Sequence, residues 1–162
     1  MPTAFSFLPH VTVTVPVGTW PGAVSATVRI PVVGTALAVG SHTLTVDYLG
    51  DSGHEPSQTS VVVKVSKAGS ATEAVVTPTQ LAVHSGKATV QASVTAPGFT
   101  PTGNVEVFVD GVRATSKALT DGSAVLQVGP FATVGQHRVV VTYVGDSSTT
   151  GSSSSAQTVR ST

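Results

Sequence analysis

Cysteine is absent from the 162 residues, and Asp, Glu, Lys and Arg together make up only 10% of them. The first absence excludes a disulfide framework, a thiolate metal site and a thiol nucleophile. The few charges are balanced, eight of each sign. That removes the electrostatic case for nucleic acid or an anionic membrane surface as a partner. No run approaches the roughly eighteen apolar residues that span a bilayer, so membrane insertion is not expected. Residues 1–10 contain no Lys or Arg and no long apolar core, and so do not read as a signal peptide. Five Phe, two Tyr and one Trp are few for a carbohydrate-binding surface, which commonly stacks sugars on exposed rings.

What is present points to strands. There are 31 Val, 24 Thr and 19 Ser, and branching at Cβ suits a pleated, half-buried surface better than a helix. Sixteen Gly and ten Pro punctuate the chain densely, and no stretch of twelve residues keeps helical periodicity. The fold class read from these features is all-β.

A shift of 95 residues lays Val33–Ser52 on Val128–Ser147 with ten of twenty positions identical. The identities include the rare types: His42 with His137, Tyr48 with Tyr143, and Gly50-Asp51-Ser52 with Gly145-Asp146-Ser147. This is an internal repeat, and its period is that of a β-sandwich, not of a solenoid turn.

The second copy predicts about seven short strands: 72–77, 87–95, 104–110, 112–119, 123–128, 136–144 and 156–160. Asp110-Gly111 and Asp121-Gly122 are tight-turn signals. The expected core is Val90, Ala92, Val94, Val105, Val107, Val109, Ala124, Leu126, Val139, Val141 and Tyr143. Seven strands with a turn every eight to twelve residues form the pattern of an immunoglobulin-like sandwich.

Three segments carry a more specific likeness: Pro101-Thr102-Gly103-Asn104-Val105-Glu106-Val107-Phe108 with Val109-Asp110-Gly111, then Asp121–Leu126, then Gly135-Gln136-His137 leading to Tyr143-Val144-Gly145-Asp146. They resemble the bacterial immunoglobulin-like domain of group 3. The likeness covers about 70–162 in full and 11–66 in part, with Val141 standing where the family usually has Ala. It implies a spacer or adhesion module of a secreted or cell-surface multidomain bacterial protein, with no catalytic residues to transfer. It also implies an extracellular location.

The reading therefore has two tandem immunoglobulin-like sandwiches. Residues 67–162 form a complete unit, and residues 1–66 an incomplete one lacking its first two strands. A sandwich so shortened exposes core on one sheet; Phe5, Phe7 and Leu8 are candidates to patch it. The chain is expected to be the tail of a longer polypeptide or a shortened gene. Ser66–Ala71, rich in small residues, reads as a flexible linker.

Candidate chemistry is sparse. Gly50-Asp51-Ser52-Gly53 resembles the nucleophile loop of trypsin-like serine proteases, but His54 replaces the second Gly of that loop. A Ser nucleophile also needs a His base, an orienting carboxylate and an oxyanion hole. Recurrence of Gly-Asp-Ser after each Tyr favours a structural turn. His42 and His137 share the phase of the apolar face and lack further ligands at metal spacing, so they are expected to bond backbone. His10, His54 and His84 read as loop or edge residues. Tyr48 and Tyr143 are expected to cap the core with their hydroxyls at the rim.

Asp51 and Glu55 are too few oxygens for calcium, and Glu106 and Asp110 read as a solvated face. Asn104, the only Asn, is a remote candidate for a Lys–Asn isopeptide. Ser152–Ser155 reads as a polar edge. Trp20, in a Gly/Pro loop, is the single candidate ligand contact. No cofactor and no metal are expected. The partners expected are neighbouring domains of a longer polypeptide, with surface polysaccharide or a host or cell-wall protein as further candidates. The alternative function is an accessory carbohydrate-binding module of a secreted polysaccharide-active enzyme.

Overall fold

The computed structural model describes the backbone of residues 10–17, 24–32 and 37–162, and side chains at 25, 27–32 and 37–162. Trp20, Phe5, Phe7, Leu8, Val33 and Gly34 lie outside the described residues. The chain divides into two compact units, Met1–Ser66 and Lys67–Thr162. Every regular element in the described residues is a strand.

The first unit contains β1 (His10–Val17), β2 (Val24–Pro31), β3 (Gly40–Tyr48) and β4 (Ser57–Val65). They form two antiparallel pairs, β1 with β2 and β3 with β4. Among the described residues β1 pairs only with β2, and an edge strand tolerates the missing N–H of Pro16. Along β3 and β4, half-buried and exposed residues alternate strictly. Leu44, Val46 and Tyr48 share the inward face with Val61, Val63 and Val65. None of the described residues of this unit is fully buried.

The second unit is a two-layer sandwich of strands β5 to β13. One layer holds β10 (Ser123–Val128), β7 (Ala88–Thr95) and β5 (Ala71–Thr77), in that order. The other runs β6 (Gln80–Leu81), β13 (Gln157–Ser161), β11 (Gly135–Tyr143), β8 (Asn104–Val109), β9 (Val112–Ala118), with β12 (Ser152–Ser153) also on β11. Each of the seven expected strands is found, with its bounds within a residue or two. Two short strands were not foreseen. β6 pairs parallel to β13 after Pro78 ends β5 and the chain crosses to the opposite layer. β12 forms inside the Ser-rich stretch.

Alternation builds the core. Val76, Val90, Ala92, Val94, Ala124, Leu126 and Val128 face Val105, Val107, Val139, Val141, Tyr143 and Val159 across the layers, with Leu81 and Phe131 also buried. Every expected core residue is buried except Val109, which is only half-buried because it flanks the solvent-exposed turn at Asp110. Asp110 and Gly111 both have positive φ, as do Asp121 and Gly122. Those are the backbone conformations of the tight hairpin turns expected at both places.

Two expectations need correction. The 66–71 segment is no free linker: Ala68 donates to the Ser148 carbonyl and accepts from the Thr150 N–H at 2.9 Å each, and the Ser70 hydroxyl donates to the Thr150 carbonyl. Its backbone polar groups find partners in the 146–152 loop, so this stretch joins the second unit. The Ser152–Ser155 stretch is not wholly a polar edge either. Ser154 is buried, and its hydroxyl accepts the Val141 N–H at 3.1 Å where the strand pairing is interrupted.

Truncating Val141, which is 0% exposed, to Ala is expected to cost about 2 kcal/mol, from lost burial plus a residual cavity. Val125→Ala, at a site 52% exposed, is expected to cost less than about 0.5 kcal/mol. Urea unfolding monitored by circular dichroism distinguishes the two.

Candidate functional site: the tyrosine–aspartate turns and the buried histidine

Tyr143 ends β11 with its ring 0% exposed. A phenol so placed needs a partner for its hydroxyl, and Thr149 supplies it at 2.8 Å. The Thr149 hydroxyl is itself a donor to Asp146 Oδ1 at 2.7 Å. Its single proton is therefore committed, and Tyr143 must be the donor in the first bond. Asp146 Oδ1 also accepts the N–H groups of Ser148 and Thr149, while Oδ2 accepts both the N–H and the hydroxyl of Thr102. Lys67 Nζ donates to the carbonyl of the same residue at 2.6 Å.

Partial burial alone would raise the Asp146 pKa. The donors from Thr102, Thr149 and Ser148 outweigh it and hold the carboxyl well below the usual range. Burial raises the Tyr143 pKa, reinforced by the neighbouring Asp146. A carboxylate with five donors has no lone pair directed at a cation or a substrate. Gly145 allows this turn because its φ is +92° and a Cβ there would meet the Thr149 carbonyl and the Gly151 nitrogen at 3.0 Å.

The corresponding turn after Tyr48 is wired differently. Asp51 Oδ2 accepts the Tyr48 hydroxyl directly at 2.8 Å, and Oδ1 accepts the Gly53 N–H and pairs with His54 Nδ1, each at 2.8 Å. The 95-residue shift sets His54 opposite Thr149. His54 spends its Nδ1 on Asp51 Oδ1 and does not relay, and the tyrosine reaches the aspartate itself. The Gly53 N–H, then Tyr48 and His54, depress the Asp51 pKa, and the Tyr48 pKa is raised by its bond to Asp51. Among the described residues no hydrogen bond joins Ser52 to a histidine, which is the contact a nucleophile in Gly50–Gly53 requires. Tyr48 lies on the inward face of β3 and is half-buried, with its hydroxyl at the rim on Asp51.

His137 is the other concentration of polar groups. It is buried and stacked on Phe131, ring centroids 4.2 Å apart. Its Nδ1 lies 2.7 Å from Asp110 Oδ2, and Nε2 lies 3.2 Å from the Thr133 carbonyl and 3.1 Å from Ser161 Oγ. The backbone contact was expected. Asp110 was not: its second oxygen accepts the Arg138 N–H at 2.7 Å, so the carboxylate bridges the hairpin tip to β11 instead of being merely solvated. The Arg138 N–H, then His137, depress the Asp110 pKa, and Asp110 raises that of His137 against desolvation. His42 reproduces one contact only, donating from Nε2 to the Ala38 carbonyl at 2.6 Å. The shift puts Val15 where the second unit has Asp110.

Glu106 is likewise paired, 3.1 Å from Arg113. An irregularity in β9 between the partners of Val107 and Phe108 leaves Ala114 as the extra residue and brings Arg113 to that face. Among the described residues no group of three or more His, Asp or Glu is placed to hold a metal. Neither the Thr149 relay nor the His137–Asp110 pair was legible beforehand. The one advance signal for the pair is that Asp110 occupies a hairpin tip and β11 carries a histidine near its start.

Tyr143→Phe is expected to destabilise the second unit by about 1 kcal/mol, one net hydrogen bond. Asp146 has a folded pKa below its unfolded value of roughly 4, so its contribution is complete above that pH and is lost as pH falls. Asp146→Asn should therefore lower the melting temperature at neutral pH, with the gap to wild type narrowing between about pH 5 and pH 2. Thermal melts across that range check both.

The sequence model of one family, described as bacterial Ig-like domain (group 3), matches residues 70–162. Comparison with curated proteins and with solved structures gives no match. The matched stretch contains the sandwich from β5 to β13, both aspartate-glycine hairpins, the His137 pair and the Tyr143 turn. The chain thus belongs to the bacterial Ig-like domain (group 3) family.

Proposed function

We propose that the chain is a noncatalytic spacer and adhesion segment of a secreted or cell-surface bacterial protein. It is built as two tandem immunoglobulin-like units, the first of which has the inward face of β3 and β4 only half-buried. The observation that carries the noncatalytic reading is the commitment of the polar groups. The Asp146 carboxylate is saturated by five donors, and both ring nitrogens of His137 face acceptors. No side chain in either cluster is left poised to attack a substrate. Family membership supports the same reading, since such domains are typically noncatalytic modules of multidomain proteins and usually extracellular.

Duplication is supported by position. β3 and β11 have the same bounds under the 95-residue shift, each starts at a glycine of positive φ, and each carries a histidine bonded to the carbonyl four residues earlier. Incompleteness of the first unit is supported by burial. His137, Val139, Val141 and Tyr143 are buried under the β5–β7–β10 layer, whereas their counterparts His42, Leu44, Val46 and Tyr48 are only half-buried.

The half-buried face of β3 should open more readily than β11. Amides of β3 are expected to show protection factors at least about tenfold lower than those of β11 in hydrogen exchange on the full chain; equal protection would argue against an incomplete first unit. The spacer reading is tested by co-sedimentation with insoluble polysaccharides. The expected result is no retention of either wild type or Trp20→Ala. Retention abolished by Trp20→Ala would replace this reading with that of an accessory carbohydrate-binding module.

A further inference from the structure

His137 joins three separate pieces of the second unit: the β8–β9 hairpin tip through Asp110, the segment before β11 through the Thr133 carbonyl, and the end of β13 through Ser161. The arrangement can be resolved proton by proton. The Ser161 hydroxyl donates to the Thr133 carbonyl at 2.6 Å, and the ring Nε2 lies 3.1 Å from Ser161 Oγ and 3.2 Å from that same carbonyl. With both ring nitrogens protonated, Nδ1–H donates to Asp110, Nε2–H donates to Ser161 Oγ and the Thr133 carbonyl, and Ser161 keeps its own proton on Thr133. Every donor then has an acceptor.

A neutral ring cannot reproduce this. The carboxylate of Asp110 retains the proton on Nδ1, which leaves Nε2 as a bare lone pair. If Ser161 keeps its bond to Thr133, that lone pair faces two oxygens. If Ser161 turns toward the ring, the Thr133 carbonyl loses its donor. Either way one acceptor is left unmet beside the buried His137 and Ser161, and an unmet acceptor in such a place is costly.

We propose that His137, Asp110, Thr133 and Ser161 form a proton-operated clasp that fastens the end of β13 to the sandwich when the imidazole is charged and loosens it when the imidazole is neutral. Few other charges bear on the ring. Among the described residues, Asp110 is the only charged side chain in contact with it. Arg138 contributes its backbone N–H to Asp110, and Arg160 flanks Ser161 but is exposed on β13. His84 meets this region through its backbone, donating to the Phe131 carbonyl at 2.8 Å, and its side chain is exposed. β6, which pairs with the end of β13, contributes Gln80 and Leu81 and no charge.

The ion pair with Asp110 raises the pKa of His137 above its ordinary value, against desolvation. A raised folded-state pKa places the full clasp below the unfolded value of about 6.5 and its loss as pH rises through the folded value. The first unit supplies an internal contrast. His42 has a carbonyl partner but Val15 at the place of Asp110, so the same switch is not built there.

The test uses the full chain. Imidazole ¹⁵N shifts report the charge and tautomer of His137, and amide exchange reports the end of β13. The amides to follow are those of Arg160 and Thr162, bonded to the carbonyls of Thr79 and Leu81. Expressed as protection factors, to remove the intrinsic pH effect, they are expected to fall about tenfold, on the order of one net hydrogen bond, with the same midpoint as His137. Those of Val105 and Val107 should stay constant. Ser161→Ala should abolish the fall while His137 still titrates, and Asp110→Asn should move both midpoints to lower pH together. Protection that ignores the titration of His137, or a fall that survives Ser161→Ala, overturns the proposal. Should Ser161→Ala fail to fold, Asp110→Asn decides: an exchange midpoint that stays put while the His137 midpoint moves rejects the clasp.

Discussion

A phenol enters an apolar interior only if its hydroxyl is met, and the second unit is organised around meeting one. Tyr143 is the largest fully buried side chain in a core otherwise made mostly of Val and Ala. Its hydroxyl reaches Thr149, Thr149 reaches Asp146, and Asp146 collects donors from Thr102 and from its own turn. One chain of hydrogen bonds thus ties the end of β11 to the loop before β8 and to the returning segment that becomes β12 and β13. The small residues follow from the same constraint. With a ring at that end of the core, alternating Ala and Val in β7 and Ala124, Leu126 and Val128 in β10 fill the remaining space between layers about 10 Å apart.

The two turns after Tyr48 and Tyr143 share a bond from the aspartate N–H to the carbonyl three residues on and differ in their side-chain networks. Thr149 is short and relays the bond; His54 is long and instead takes one oxygen of Asp51 for itself. The buried relay goes with a fully buried phenol, and the exposed Asp51–His54 pair goes with a half-buried one. An exposed pair of that kind adds little to stability, whereas the saturated Asp146 holds its turn in one geometry.

Strand positions were legible because period-two alternation and aspartate-glycine turns are local signals. Val105, Val107 and Val109 could be put on one face from spacing alone, and Asp110-Gly111 marked the turn beside them. Burial of the third of these was misjudged because a strand end near an exposed turn loses its cover, which spacing does not record. β6 was missed because a two-residue parallel pairing is defined by its distant partner, β13, and has no alternation of its own. The stretch around Ala68 was read as linker from its small residues, and those same residues let its backbone lie against the 146–152 loop.

Sequence by itself determined that the chain is all-β, where its strands and tight turns lie, and that a 95-residue shift recovers the tyrosine-glycine-aspartate element. Each of these is written in the order of neighbouring residues. Only tertiary structure decided that Asp110 meets His137 across 27 positions, that Thr102 completes Asp146 across 44, and that Ser154 stands in for a strand carbonyl. Side-chain hydrogen bonds act over about 3 Å, and which groups come that close is settled by how the two layers stack.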